Sequence, residues 1–371
     1  MRGAKGDDET VAVPPRANPD LVGHDAAEVL LAQLYWAGRL PHALLLAGPR
    51  GIGKATLAFR LARFLLVQGR RGGQGASVEP ATSDEPGLAI DPEGGVFRRV
   101  AGGSHADLLT IERAWDPRRG RLRNEIVVED AREIAAFFRL SSAEEGWRIV
   151  IVDGAEEMNR NAANSLLKIL EEPPDHSLLI LVSHNPGRLL PTIRSRCQRL
   201  VLSPPAMPVA ARLLRHYRPQ LDDGEANALC ALSGGSIGRA LELADAGGLE
   251  LYRSLMELLA SVPAIDVGRL HALADRLARA DADDAYRACE ALLGRFLARL
   301  ARDAARGRLD AEEIVPGEAE AISRLGCGAD PPRWAALGQE IETSFAAARE
   351  LNLDKKQTLL GAFFAIEAAA R

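Results

Sequence analysis

Gly48, Gly51, Gly53 and Lys54, in the stretch GPRGIGKAT (residues 48–56), have the types and spacing of a phosphate cradle. A glycine-rich turn lets backbone N–H groups wrap phosphate oxygens. The N-terminus of a following helix adds positive partial charge, and the lysine adds a point charge. In such sites the next residue supplies a hydroxyl that holds Mg²⁺. Here that residue is Ala55, which has no oxygen to offer. Thr56 follows, rotated by about 100° around the helix, and is predicted to point elsewhere. It is nonetheless kept with the three glycines and Lys54 as part of a vestigial nucleotide site.

A second group of residues bears on the same chemistry. WRIVIVDG (147–154) reads as a buried strand ending in Asp153, an acid placed to orient a metal ion. The next position, where a water-activating glutamate belongs, is Gly154. Glu156 and Glu157 come later and read as solvated carboxylates at the start of the next element. Two catalytic roles are therefore missing from one presumed site, which argues against hydrolysis by this chain. Arg194, Arg196 and Arg199 form a basic cluster; arginine's planar, permanently charged fork suits phosphate oxygens. Taken alone, the cluster reads as a solvated basic edge. Ser183 and His184 close another apolar run and fit either a polar strand-end sensor or a structural role. The four cysteines, Cys197, Cys230, Cys289 and Cys327, show no Cys-x-x-Cys spacing. No metal site, zinc included, and no disulfide framework is expected from them, and a reducing cytoplasmic home fits.

The elements that must carry these residues alternate. A helix is predicted over 26–37, a buried strand over 42–48, and a helix from the glycine turn to about 67. Strands follow over 107–113, 147–154 and 177–185, with helices over 129–140 and 159–172, the latter stopped by Pro173 and Pro174. This order implies an α/β fold with a parallel sheet covered on both faces. Residues 1–19 are polar and expected to be loose. Residues 68–106, rich in Gly, Pro, Ser and Asp, read as a flexible insertion. After Pro204 and Pro205 the chain turns helical and Ala-rich, with two short helices expected over 227–248 and long amphipathic segments thereafter.

At 371 residues the chain has room for two or three domains, and its net charge of −5 excludes a general polyanion binder. Any nucleic-acid contact would be a local patch. No apolar core of signal-peptide length opens the sequence, and no run of about 18 apolar residues suggests a membrane span.

The stretches GRLPHALLLAGPRGIGK, NAANSLLKILEEPP, RSRC and LSGGSIGRALEL, set in this order, resemble the bacterial clamp-loader branch of the AAA+ proteins, subunits of the DNA polymerase III holoenzyme. The resemblance covers residues 18–245 well and the end of the chain more weakly. It implies an AAA+ P-loop NTPase-like domain over 20–204, a small helical lid over 205–248 and an all-α collar over 249–371. It also implies a ring of subunits that uses ATP to place a sliding clamp on primed DNA, with ATP and Mg²⁺ bound between neighbours. Partners would be the tau/gamma motor and delta subunits, the clamp and DNA. In the Ser195-Arg196-Cys197 motif, the family places an arginine finger, Arg196, that reaches a neighbour's ATP. Many members carry a four-cysteine zinc module after the loop helix; residues 68–106 contain no cysteine, so zinc does not carry over. The ATPase members place an arginine two residues after the lid serine; here that position is Gly238, with Arg239 one later. The resemblance thus implies a subunit that is not itself a competent ATPase and needs no cofactor. Two alternatives stand: an active motor ATPase of the same machine, against which Ala55, Gly154 and Gly238 speak, and a P-loop small-molecule kinase, against which the Ser-Arg-Cys segment and the helical last third speak.

Overall fold

The computed structural model describes residues 13–69, 87–117, 121–144, 146–307, 313–326 and 330–370. The chain forms two compact units, Val11–Val209 and Ala210–Arg371.

The first unit opens with α1 (Asp25–Trp36), β1 (Ala43–Ala47) and α2 (Lys54–Gly69). α3 (Gly95–Ala101), β2 (Leu108–Ile111) and a ribbon of β3 (Trp115–Asp116) and β4 (Arg121–Leu122) follow. It continues through α4 (Val128–Arg139), β5 (Arg148–Asp153), α5 (Arg160–Glu171), β6 (Ser177–Ser183), α6 (Pro191–Arg194) and β7 (Gln198–Val201). Five strands make one parallel sheet in the order β2-β5-β6-β1-β7. The α/β reading of the sequence holds, with β7 as an additional edge strand.

Side-chain alternation along the central strands builds two separate cores. Leu44 and Leu46, Ile149 and Ile151, and Leu178, Ile180 and Val182 face α1, α2 and α3. Ala43 and Leu45, Val150 and Val152, and Leu179 and Leu181 face α4 and α5. A strand buried on both faces must be apolar at every position, which is why these runs are continuous rather than alternating in sequence. α5 starts where the Asn159 side chain accepts from the Ala162 N–H at 2.9 Å, an N-cap. It buries Ala162, Ala163, Leu166 and Leu170 on one stripe.

Two expectations are corrected. Of residues 68–106, expected to be a flexible insertion, residues 70–86 lie outside the described residues. The remainder is folded: α2 runs to Gly69, and Leu88, Val96 and Val100 are buried in the α2-side core. Gly and Pro dominate the composition there and mask an apolar spacing of four between Val96 and Val100. Residues 1–12 also lie outside the described residues, but 13–19, expected to be loose, are tied to α2. Buried Arg63 donates to the carbonyls of Arg16 at 3.2 Å and Asn18 at 2.8 Å, and Arg60 donates to that of Pro19.

The second unit is helical among its described residues, and α7 (Met207–Tyr217) leads into it. α8 (Asp223–Leu232), α9 (Ile237–Asp245), α10 (Gly248–Ala260), α11 (Val267–Leu277) and α12 (Asp283–Arg306) follow, then α13 (Glu318–Gly326), α14 (Pro331–Leu351) and α15 (Lys355–Ala370). One apolar cluster runs from Ala210 to Ile366, through Tyr252, Phe296, Trp334, Phe345 and Phe363. A charged knot is buried within it. The Glu318 carboxylate, fully buried, faces Arg299 at 2.7 Å and accepts from Tyr252 Oη–H and the Ile314 N–H. Burial and the Glu318 charge push the Tyr252 hydroxyl far up from its ordinary range. Removing one member of a buried pair leaves the other charge poorly compensated, at a cost of about 3–5 kcal/mol. Glu318→Ala is therefore expected to lower stability by that amount in urea unfolding monitored by circular dichroism. An unchanged midpoint would show that the knot contributes nothing.

Candidate functional site

The C-terminal ends of the parallel strands lie along one edge of the sheet, and the glycine turn, Lys54, Asp153 and His184 gather there. Arg196, by contrast, precedes β7 at the opposite edge, where Gln198 pairs with Leu44 near the start of β1. Ala47 pairs with Ser183, and Asp153 with Val182, so the ends of β1, β5 and β6 lie side by side. The glycine turn leaves β1 and enters α2, whose first residue is Lys54. Gly48 has a φ of +151°, and a Cβ there would sit 2.3 Å from the Leu202 carbonyl oxygen. Only glycine fits so close a backbone approach. Gly51 and Gly53 are also left-handed.

Lys54 is 3% exposed, and its ammonium donates to the Pro49 carbonyl. Burial pushes its pKa down to about 8, against the pull of Asp153 and Glu156 and with help from Arg50. Asp153 at the end of β5 is pushed up by burial and by Glu112, which Lys54 partly offsets. His184 is pushed down to about 4 by burial and by Lys54, so its ring is neutral at pH 7. The structure thus brings Lys54, Asp153 and His184 into one electrostatic cluster. Ala55 is half-buried and Thr56 buried in the first turn of α2.

Glu156 and Glu157 are not the solvated carboxylates expected. Glu156 Oε1 accepts from the His184 and Asn185 N–H groups at 2.8 and 3.1 Å. Burial raises its pKa, but these backbone bonds and their neighbours outweigh it and hold the carboxyl below its ordinary range. Glu157 pairs with Arg113 at 2.8 Å. Both side chains brace loops, and neither occupies the position after Asp153. That position, Gly154, has a φ of +76°.

His24 is a residue that sequence reasoning missed. Its Nε2–H donates to the Ile52 carbonyl at 2.5 Å, and its ring lies beside Gly53, buttressing the phosphate loop from behind. It lies in the LVGHD stretch that leads into α1, where nothing local marks the histidine as a partner of the loop.

Arg196 follows α6 on the turn into β7, with its side chain 37% exposed. It is not idle. One guanidinium nitrogen pairs with Glu171 at the end of α5 at 2.7 Å, and another donates to the Thr192 carbonyl at 3.1 Å. Arg194 and Arg199 are exposed. Cys197 beside it is buried and its thiol pushed up to about 11, so it stays protonated and unreactive. Arg239, on α9, is exposed, and Gly238 offers no side chain. Cys327 lies outside the described residues. Among the described residues, no group of His, Cys, Asp and Glu is placed to hold a metal ion. No helix among them is long and apolar enough to cross a membrane.

The lysine of the cradle gives a direct check on this electrostatic picture. The chain has only five lysines, so their ammonium titrations are separable by NMR after selective labelling. One, identified by its loss in Lys54→Arg, is expected to deprotonate near pH 8 rather than near 10.4. Attraction of the loop for anions is then full below about 8 and fades as pH rises through it. An ordinary titration would contradict the buried placement of Lys54.

With this geometry in view, the relatives are informative. Residues 23–206 match the family described as "DNA polymerase III, delta subunit". The chain is 36% identical to the delta′ subunit of DNA polymerase III from Pseudomonas aeruginosa over 233 residues, 62% of this chain and 64% of that protein. It is 29% identical to the gamma/tau subunit from Mycobacterium bovis over 286 residues, 75% of this chain and 46% of that protein. The matches thus span under two thirds of the first relative and under half of the second. A gamma subunit-related DNA polymerase III protein from Thermotoga maritima aligns over 92% of this chain and 99% of its own, at 19% identity and a TM-score of 0.40.

Proposed function

Since residues 23–206 place this chain in the clamp-loader family of DNA polymerase III subunits, we propose that it works as the delta′ subunit of that loader. In this reading it hydrolyses little or no ATP and donates Arg196 to the ATP site of a neighbour. The observation that carries the reading is a cradle kept without its catalysts. Gly48, Gly51, Gly53 and Lys54 remain in place, while Ala55 supplies no metal ligand and Gly154 no base. A finger acting in trans needs no working loop in its own chain, so Arg196 can serve while the local site is silent. Nucleotide and Mg²⁺ would then bind at the neighbours, weakly or not at all here, and no zinc is needed.

The partners on this reading are the tau/gamma motor and delta subunits, and through them the sliding clamp and primed DNA, in the cytoplasm. The AAA+ domain over 20–204 and the lid over 205–248 would form the ring's nucleotide-facing tier. Residues 249–371 would form the collar, where helical surfaces associate chiefly by apolar burial. Reconstitution tests this. The purified chain, mixed with the motor and delta subunits of the same organism, should join a stoichiometric complex in gel filtration. Omitting it should abolish ATP-dependent clamp loading. A complex that forms and loads clamps without this chain would overturn the proposal.

A further inference from the structure

α1 is apolar on both of its faces, and no step above uses the outer one. The inner face buries Ala27, Leu31 and Ala32 in the α2-side core, and Glu28, one of the helix's two charges, is turned inward onto Arg60. The outer stripe is made of Ala26, Val29, Leu30, Gln33, Trp36 and Ala37. At about 100° per residue, all six lie within about 60° of Gln33. Leu30 is 40% exposed and Trp36 43%, and Ala26, Gln33 and Ala37 are exposed as well. None of the six is charged, in a chain of which 26% of the residues are. A helix that is apolar all round is ordinarily a buried one. The Trp36 indole is also held in place, edge-to-face with Tyr35 at 5.0 Å and Phe64 at 6.2 Å. A fixed, half-exposed tryptophan is the kind of residue that anchors protein interfaces.

The stripe offers phosphates and lipid headgroups no cation along its length, so it selects a protein surface. Whatever covers it must be apolar over about three helical turns and must answer the Gln33 amide. It must also match Asp25 at one end of the stripe and Arg39 beyond the other, both exposed. α1 of a second copy, run antiparallel, meets all three demands. About a two-fold axis at Gln33, Leu30 of one copy meets Trp36 of the other, and Val29 meets Ala37. An amide carries both donors and an acceptor, so the two Gln33 side chains can bond to each other on the axis. The reversal brings Asp25 to the Arg39 end of the other copy, twice per pair, as a self-complementary contact requires. We propose that the outer face of α1 is the seam of a two-fold homodimer that this chain forms when free of other subunits. The measurement uses the free chain alone, so its failure leaves the proposed function standing.

The test is sedimentation velocity of the purified full-length chain. A single helix pair buries less than a standard interface, so loading runs from about 5 to 500 μM to bracket a micromolar dissociation constant. Trp36→Glu and Leu30→Glu each put a charge in the seam and are expected to stay monomeric throughout, with thermal melts showing that both are folded. Asp25→Arg or Arg39→Asp alone is expected to weaken the dimer by about 2- to 30-fold, since the pair occurs twice, and the double reversal to restore it. Gln33→Cys, on the axis, is expected to crosslink to a covalent dimer under mild oxidation, and Gln339→Cys, exposed on α14, to remain uncrosslinked. The proposal is overturned if the parent chain is monomeric at every concentration, or if its dimer survives both glutamate variants, which would place the contact elsewhere. It is also overturned if the double reversal recovers nothing, or if Gln33→Cys crosslinks no better than Gln339→Cys. A monomeric parent whose Trp36→Glu variant fails to assemble with the other subunits overturns it too, and assigns the face to one of them.

Discussion

Arg196→Ala is expected to leave this chain folded and able to assemble, and to slow ATP hydrolysis at the adjoining site of the loader by about 10³- to 10⁵-fold. The side chain is half exposed and contributes to no core, so the substitution removes a charge and little packing. Its present partner, Glu171, is 51% exposed, and such surface pairs are worth about 0–1 kcal/mol. Exchanging that carboxylate for a neighbour's phosphate therefore meets little resistance. Other sites in a ring keep their own fingers, so total turnover falls only in part. Clamp loading, which needs the sites to act together, is the sharper readout. Arg196→Lys is expected to rescue weakly, because an ammonium lacks the two-pronged fork. If the alanine variant assembles and loads clamps at the parent rate, Arg196 is an ordinary surface arginine.

The second large effect is one of silence. The purified chain is expected to show no steady-state ATP turnover above background, and Lys54→Ala to leave that background unchanged. A missing proton-transfer group commonly costs about 10²–10⁴ in rate, and the metal ligand is missing as well. Restoring both side chains is not expected to restore the reaction. Ala55→Thr is sterically modest, but Gly154→Glu must hold a φ of +76° with its Cβ 2.7 Å from Glu157 Oε2. A left-handed non-glycine residue costs about 1–3 kcal/mol before that clash is relieved. The double variant should melt earlier and remain inactive in a phosphate-release assay. Robust turnover by the parent chain, abolished by Lys54→Ala, would overturn the non-hydrolysing reading.

What could be read from the sequence followed the strength of the local signal. β1, β5 and β6 are uninterrupted apolar runs, and the glycine turn between β1 and α2 has its own pattern, so sheet and cradle were legible together. β7 was not, because its four residues, Gln198–Val201, are largely exposed at a sheet edge and carry no apolar run. The β3–β4 ribbon was missed because strands of two residues have no periodicity to detect. α3 was hidden by composition: its glycines and the prolines before it outweighed Val96 and Val100. Glu156 and Glu157 looked solvated because their partners, the N–H groups after β6 and Arg113, are distant in sequence. His24 was overlooked for the same reason, as Ile52 lies 28 residues on.

The sorting of β1, β5 and β6 side chains into two cores has an evolutionary consequence. Folding depends on the middles of these strands, while Ala55, Gly154 and His184 sit beyond their ends. A substitution at those ends changes neither apolar cluster, so it costs folding little wherever the backbone, unlike that of left-handed Gly154, tolerates it, even where it ends a chemical step. Selection for the scaffold and selection for catalysis thus act on different positions. After duplication, one copy of such a chain can drift out of catalysis within very few replacements and keep the surfaces that its siblings recognise. A silent member of a ring is, on this architecture, an easily reached and lasting state.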